Sequence, residues 1–85
     1  MNSDLRYTRH QVPRGTRADA ERNNALYLFK NVSALRLTYQ IRLLTFSAAD
    51  SGRKLIVRVP AHCTLHPSLR DFQRGHSEVV KIEKE

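Results

Sequence analysis

Apolar and polar residues alternate in the middle of the chain, from Leu35 to Ile41. The positions between the apolar residues are all polar, namely Arg36, Thr38 and Gln40. This period of two, with Thr, Tyr and Ile among the residues, predicts a strand with one buried face. A helix is the alternative, because four apolar residues also follow a spacing of three and four: Leu37, Ile41, Leu44 and Ala48. We favour the strand because its other face is uniformly polar.

A helix is predicted over the preceding segment, beginning at Thr16 and with Lys30 near its C-terminal end. Thr16 is a suitable N-cap, and Asp19 three residues later forms a weak capping box. Apolar residues then recur at helical spacing, at Ala25, Leu28, Phe29 and Val32. The weak point is Asn23-Asn24, since asparagine favours turns over helix interiors. If the helix breaks there, the following ALYLF segment becomes a short strand.

Turn and strand signals follow the central stretch. AADSGR, residues 48–53, is typical of a turn, and KLIVRVP alternates up to Pro60, so the two flanking strands predict a hairpin. Ser68 and Asp71 form a capping-box pattern and Gly75 suits a helix end, which predicts a short helix over 68–74. The final SEVVKIEKE predicts a third strand. The order α-β-β-α-β indicates an α+β domain, with helices packed on one face of an antiparallel hairpin sheet.

The chain has 85 residues, which is enough for one small domain. Residues 1–15 are polar and basic without periodicity, so we expect a flexible basic N-terminal arm ahead of a domain over 16–85 with a charged C-terminal end. The single cysteine, Cys63, has no partner for an intramolecular disulfide. No apolar run resembles a signal peptide or approaches the roughly 20 residues of a membrane span. We therefore predict a cytoplasmic protein that does not engage a membrane.

The charge favours an anionic partner. The formal net charge is +7, and residues 31–76 alone hold seven cations and two acids. Such a field attracts nucleic acid or an acidic protein, although it can also serve solubility alone. The predicted hairpin would gather polar side chains into one anion-binding surface: Arg36, Gln40, Arg42, Arg53, Lys54 and Arg58. Tyr39 falls on the core side of the predicted strand, so phosphate contact fits better than base recognition.

Other candidate chemistry in the sequence is sparse. His62 and His66 have a four-residue spacing seen in zinc sites, with Cys63 between them, but Pro67 disfavours the helical conformation that would align the pair. A lone cysteine is more often a small buried hydrophobe than a nucleophile. The sequence has no glycine loop of the phosphate-binding types. We therefore predict no metal, no cofactor and no catalytic residue.

The segment LRLTYQI, Leu35 to Ile41, resembles the central strand of the RelE-type toxin ribonucleases, which are small basic proteins. The resemblance covers seven residues and implies that Arg36 faces a phosphate of the RNA. The remainder departs from that family, with neither a clear two-helix segment before this strand nor a matching basic-aromatic ending. The favoured function is a non-enzymatic nucleic-acid-binding module. A toxin-type ribonuclease is one alternative, and a protein-protein assembly subunit whose charge is incidental is another. A homodimer is a further expectation, with Leu44, Phe46 and Ile56 as its candidate face.

Overall fold

The chain forms a small α+β fold, as predicted. A computed structural model describes residues 17–22 and 24–85. Within them lie six strands and two helices, in the order β1 (Ala20–Arg22), β2 (Ala25–Phe29), β3 (Ala34–Leu35), α1 (Tyr39–Asp50), β4 (Lys54–Val59), β5 (Thr64–Leu65), α2 (Pro67–Gly75) and β6 (Val80–Lys84). The predicted basic arm over 1–15 lies outside the described residues, as does Thr16.

The main sheet has four strands in the order β1-β2-β4-β6. Only β1 and β2 pair antiparallel; β2 and β4 are parallel, and so are β4 and β6. The predicted antiparallel hairpin sheet is therefore wrong. Each parallel pair is joined through a helix, α1 or α2, because a crossover is needed to return the chain to the same starting edge. A short parallel pair, β3 with β5, forms a second sheet.

The central stretch is a helix over most of its length, so the predicted strand from Leu35 is wrong. Thr38 is the N-cap of α1, and its Oγ1 accepts a hydrogen bond from the Ile41 backbone N–H at 3.1 Å. Ile41, Leu44 and Ala48 are buried in the core, as the alternative helical spacing predicts. The capped helix buries this apolar row along about two turns, and this burial outweighs a local alternation that ends at Leu43.

The segment before α1 is a strand pair instead of the predicted helix. Arg22 in β1 lies opposite Ala25 in β2, and Ala20 lies opposite Tyr27. The alternative of a short ALYLF strand is confirmed, since β2 covers Ala25–Phe29. The sequence places Asn23-Asn24 between the two strands, where asparagine's preference for turns disfavours a continuous helix.

Three predicted elements are confirmed nearer the C-terminus. β4 ends at Val59, directly before Pro60, and β6 matches the predicted third strand. α2 begins at Pro67, where the missing proline N–H would have no helical partner in any case. The predicted turn is shorter than 48–53, because α1 continues to Asp50 and leaves Ser51 and Gly52 as the turn. Gly52 has φ of +71°, which suits glycine.

The core lies between one face of the main sheet and the two helices. Strands and helices contribute to a single apolar cluster, which includes Leu26, Leu28, Leu55, Val57, Val59 and Val80 from the strands and Ile41, Leu44, Ala48 and Leu69 from the helices. Because residues of both helices share this cluster with strand positions from one face, the two helices lie on one face of the sheet, as predicted. The opposite face is covered by neither helix.

Candidate functional site

The uncovered face of the main sheet is built by the strand residues that alternate with the core positions. In neighbouring strands, Tyr27 is paired with Ile56, and Phe29 with Arg58; Arg58 is paired in turn with Glu83. Residues paired in this way project to the same side of a sheet. We call this surface the open face and define it by Arg22, Tyr27, Phe29, Lys54, Ile56, Arg58, Lys81 and Glu83.

Aromatic and cationic side chains are adjacent on the open face. The guanidinium carbon of Arg58 lies 5.4 Å from the Tyr27 ring centroid, and that of Arg22 lies 5.9 Å from it. Both distances fall within the range of cation–π contact. The Tyr27 and Phe29 ring centroids are 6.2 Å apart, with the ring planes tilted by 31°. Tyr27 is thus flanked by two positive charges and a second aromatic ring.

A shallow pocket lies over this group. Its volume is about 350 Å³, and it is lined by Ala20, Arg22, Tyr27, Phe29 and Arg58. Phe29 is 48% exposed, whereas the core residue Leu28 beside it is 1% exposed. A large apolar ring that remains half exposed next to cations gives a ligand both a surface to stack on and charges to pair with.

Arg58 is held in place by an acid from the next strand. Its Nε donates a hydrogen bond to Glu83 Oε1 at 2.9 Å. This hydrogen bond raises the pKa of Arg58 above its ordinary value, and the guanidinium is charged throughout the physiological range, as in any arginine. Among the described residues, no hydrogen bond engages the two terminal nitrogens of Arg58. These nitrogens form the planar fork that binds carboxylate or phosphate oxygens.

Two of the six predicted site residues, Arg58 and Lys54, lie on the open face. Lys54 Nζ donates a hydrogen bond to the Glu78 backbone carbonyl at 2.7 Å, which leaves it two further donors. Arg53 has a different role. It forms an ion pair with Glu21 at 3.2 Å, and its side chain is 13% exposed. Arg53 therefore ties β1 to the start of β4.

The other three predicted site residues are not on the open face. Gln40 and Arg42 belong to α1, which packs on the opposite face of the sheet, and Arg36 follows the short strand β3. Gln40 Nε2 donates to the Arg17 backbone carbonyl at 3.2 Å. The expectation that Arg36, Arg42 and Arg58 project from one sheet face is therefore wrong, because a helix stands where a strand was expected.

The site prediction did not include the other six open-face residues: Arg22, Tyr27, Phe29, Ile56, Lys81 and Glu83. The sequence prediction favoured phosphate contact over base recognition because Tyr39 fell on the core side, whereas Tyr27 and Phe29 lie on the open face. A signal was present in ALYLF, because alternation opposite the buried Leu26 and Leu28 places Tyr27 and Phe29 on the other side of the strand. This alternation was not used in the prediction, because a helix was favoured over the segment.

The histidines and the cysteine lie elsewhere. Cys63 is buried. His66 Nδ1 accepts from the Ser68 backbone N–H at 3.1 Å and thereby caps α2, while the His76 ring stacks on Phe72 with centroids 4.2 Å apart. Within residues 17–22 and 24–85, no three His, Cys, Asp or Glu side chains group closely enough to hold a metal. The open face as defined contains no histidine for proton transfer.

Two further findings concern the class of protein. Among the described residues, neither helix has the length and apolar content needed to cross a membrane. Comparison with protein-family models, with curated proteins and with solved structures finds no match to this chain. The geometry of the open face is therefore the basis for assigning a function.

Proposed function

We propose that the chain is a small non-enzymatic module that binds nucleic acid through the open face of its sheet. The observation that carries this proposal is the position of Tyr27 between Arg22 and Arg58, on a face that neither helix covers. Cations and aromatic rings in one exposed patch are complementary to a polymer of phosphates and bases.

The charge balance of the open face supports a polyanionic ligand. Arg22, Lys54, Arg58 and Lys81 provide four positive charges, and Glu83 provides one negative charge. Phosphates that pair with such cations release bound counterions, so the affinity falls as the salt concentration rises. If all four cations contact phosphates, the slope of log K against log salt is about −3 for a single strand.

Solubility alone explains the surface less well. A face that serves only to keep the protein in solution requires dispersed charge, and it gains nothing from a half-exposed phenylalanine beside its arginines. Phe29 and Tyr27 also belong to the patch that contains the shallow pocket. An acidic protein partner would satisfy the arginines, whereas nucleic acid satisfies the arginines and the rings together.

The ribonuclease alternative has weaker support. The LRLTYQI segment that resembles a toxin strand is not the central strand of the sheet, because Tyr39–Asp50 is a helix. Arg36 lies between β3 and α1, outside the four-stranded sheet that holds Arg58. A strand-borne arginine that faces RNA, as the resemblance implies, therefore has no counterpart at Arg36.

The proposal is tested by fluorescence anisotropy with labelled RNA and DNA, between about 50 and 200 mM salt. We compare Arg58→Gln and Arg22→Gln with the matched control Arg42→Gln, which removes the same charge from the helix side. Each open-face change is expected to weaken binding and to reduce the salt slope by about 0.7. Absence of salt-dependent binding by the unaltered chain, or equal losses in all three variants, would overturn the proposal.

A further inference from the structure

We infer that the open face binds single-stranded nucleic acid, with unpaired bases stacked on Phe29 and Tyr27. This inference rests on the proposed function and adds the class of ligand and the mode of contact. Two observations favour this ligand: the cations of the open face complement phosphates, and the Phe29 ring beside them is 48% exposed, while Tyr27 is half-buried between Arg22 and Arg58.

Accessibility of the rings distinguishes single strands from duplexes. Inside a duplex each base is covered on both faces by its neighbours, so a protein ring on a flat sheet has no base face to contact. An unpaired base presents its face freely, and aromatic side chains bind it by stacking with little dependence on sequence. Phe29, which is 48% exposed at the end of β2, is placed for such a contact.

Ring spacing supports the same conclusion. The Tyr27 and Phe29 centroids are 6.2 Å apart, whereas bases in a stacked strand rise by about 3.4 Å. Neighbouring bases that contact both rings must therefore be spread apart. A single strand extends in this way readily, but a duplex does so only after its base pairs are broken.

Arginines are positioned to hold the backbone on either side of a stacked base. Arg58 is the direct partner of Phe29 across β4 and β2, and its guanidinium carbon lies 5.4 Å from the Tyr27 ring centroid. Arg22 approaches the same ring from the opposite neighbouring strand, β1. A nucleotide on Tyr27 would therefore have a guanidinium group near each flanking phosphate.

The test uses the full chain and oligonucleotides of one sequence as single-stranded RNA, single-stranded DNA and the corresponding duplexes. Binding is measured by anisotropy for Phe29→Leu and Tyr27→Leu, with Phe46→Leu as the matched control. Phe46 is 41% exposed on α1, on the helix side of the sheet. Thermal unfolding of each variant verifies that the domain is intact.

We expect at least one of the two single strands to bind about tenfold more tightly than its duplex. Phe29→Leu should weaken single-strand binding by about 5- to 100-fold, while its salt slope and its duplex binding stay unchanged. A strand with abasic sites at its centre should lose affinity for the unaltered chain and show no further loss with Phe29→Leu. Phe46→Leu should behave as the unaltered chain.

Equal binding of single strands and duplexes, with no loss in Phe29→Leu, would overturn base stacking but leave the salt-dependent proposed function intact. A different result, in which no nucleic acid binds even at low salt, would overturn both the inference and the proposed function. Equally tight binding of polyglutamate, unaffected by either aromatic substitution, would assign the face to acidic polymers in general and overturn the inference.

Discussion

Arg58 and Glu83 are direct partners in the parallel strands β4 and β6, and a hydrogen bond of 2.9 Å joins their side chains on the open face. The contact orients the arginine toward Tyr27, and it also places a carboxylate beside the surface that we propose for phosphates. Glu83 thus orders Arg58 and, through its own charge, opposes the approach of an anion. These two effects predict opposite results when the charge of Glu83 is removed.

We predict that Glu83→Gln increases the affinity for nucleic acid by about 2- to 10-fold at low salt, because the repulsion is lost while a hydrogen-bonding side chain remains. Asp71→Asn is the matched control. It removes an equal charge from an acid that pairs with an arginine, Arg74 at 3.5 Å, but it lies in α2 on the helix side. Anisotropy titrations measure the nucleic-acid affinity of the two variants. An equal gain in affinity in both would mean that net charge alone controls binding and would contradict the prediction.

Alternation in β4 separates the core from the open face. Leu55 is 0% exposed and belongs to the core cluster, whereas its neighbour Ile56 is half-buried on the other side of the strand. We predict that Leu55→Ala lowers the free energy of unfolding by about 2–5 kcal/mol, because it leaves a cavity. Ile56→Ala should cost clearly less. Urea denaturation of both variants checks the assignment, and the reverse order of stability would mean that the faces are exchanged.

The N-cap of α1 provides a test of the helix that replaced the predicted strand. Thr38→Ala removes the oxygen that accepts from the Ile41 N–H, so we predict a loss of about 1 kcal/mol in the free energy of unfolding. Thr38→Ser keeps the acceptor and should retain most of the stability. Chemical denaturation measures both variants. If Thr38 were in mid-strand, serine would be no better than alanine, and this result would contradict the capped helix.

His66 has a structural role that its zinc-like spacing conceals. Its Nδ1 accepts from the Ser68 N–H and caps α2, while Ser68 Oγ accepts from the Leu37 N–H at 3.2 Å and thereby joins α2 to the segment before α1. We predict that His66→Ala costs about 1 kcal/mol of stability and that His66→Asn restores much of it, since asparagine is a preferred N-cap. The thermal midpoints should not change when zinc is added, and a zinc-dependent rise lost in His66→Ala would contradict this role.

Sequence alone specifies the elements whose ends are marked by local chemistry. Pro60 stops β4, Pro67 starts α2, and the predicted helix over 68–74 lies within Pro67–Gly75. These signals act through the backbone of the residue itself, either by removing an N–H or by restricting φ, so no distant partner is required. The position of Arg58 on the strand face opposite to Leu55 and Val57 follows in the same way, because successive side chains alternate between faces in any strand.

Local pattern was insufficient where two periods fit the same residues. The stretch from Leu35 to Phe46 alternates over its first half and also contains the helical row of Ile41, Leu44 and Ala48. Whether the stretch forms a strand or a helix depended on which apolar surface could be buried. The row of Ile41, Leu44 and Ala48 is buried in the same core as residues of β2 and β4. That information lies in other segments of the chain, so tertiary packing overrides local preference.

Tertiary structure alone decided the composition of the open face. Once α1 connects β2 to β4, the strands run parallel, and Phe29 comes to lie beside Arg58, which is 29 positions further along the chain. Neither residue contains a local signal for the other, because their pairing depends on the helical crossover that connects β2 to β4. Charge and an α+β fold are therefore properties of the sequence, whereas the contact of Tyr27 with Arg22 and Arg58 exists only after three separate strands have been paired.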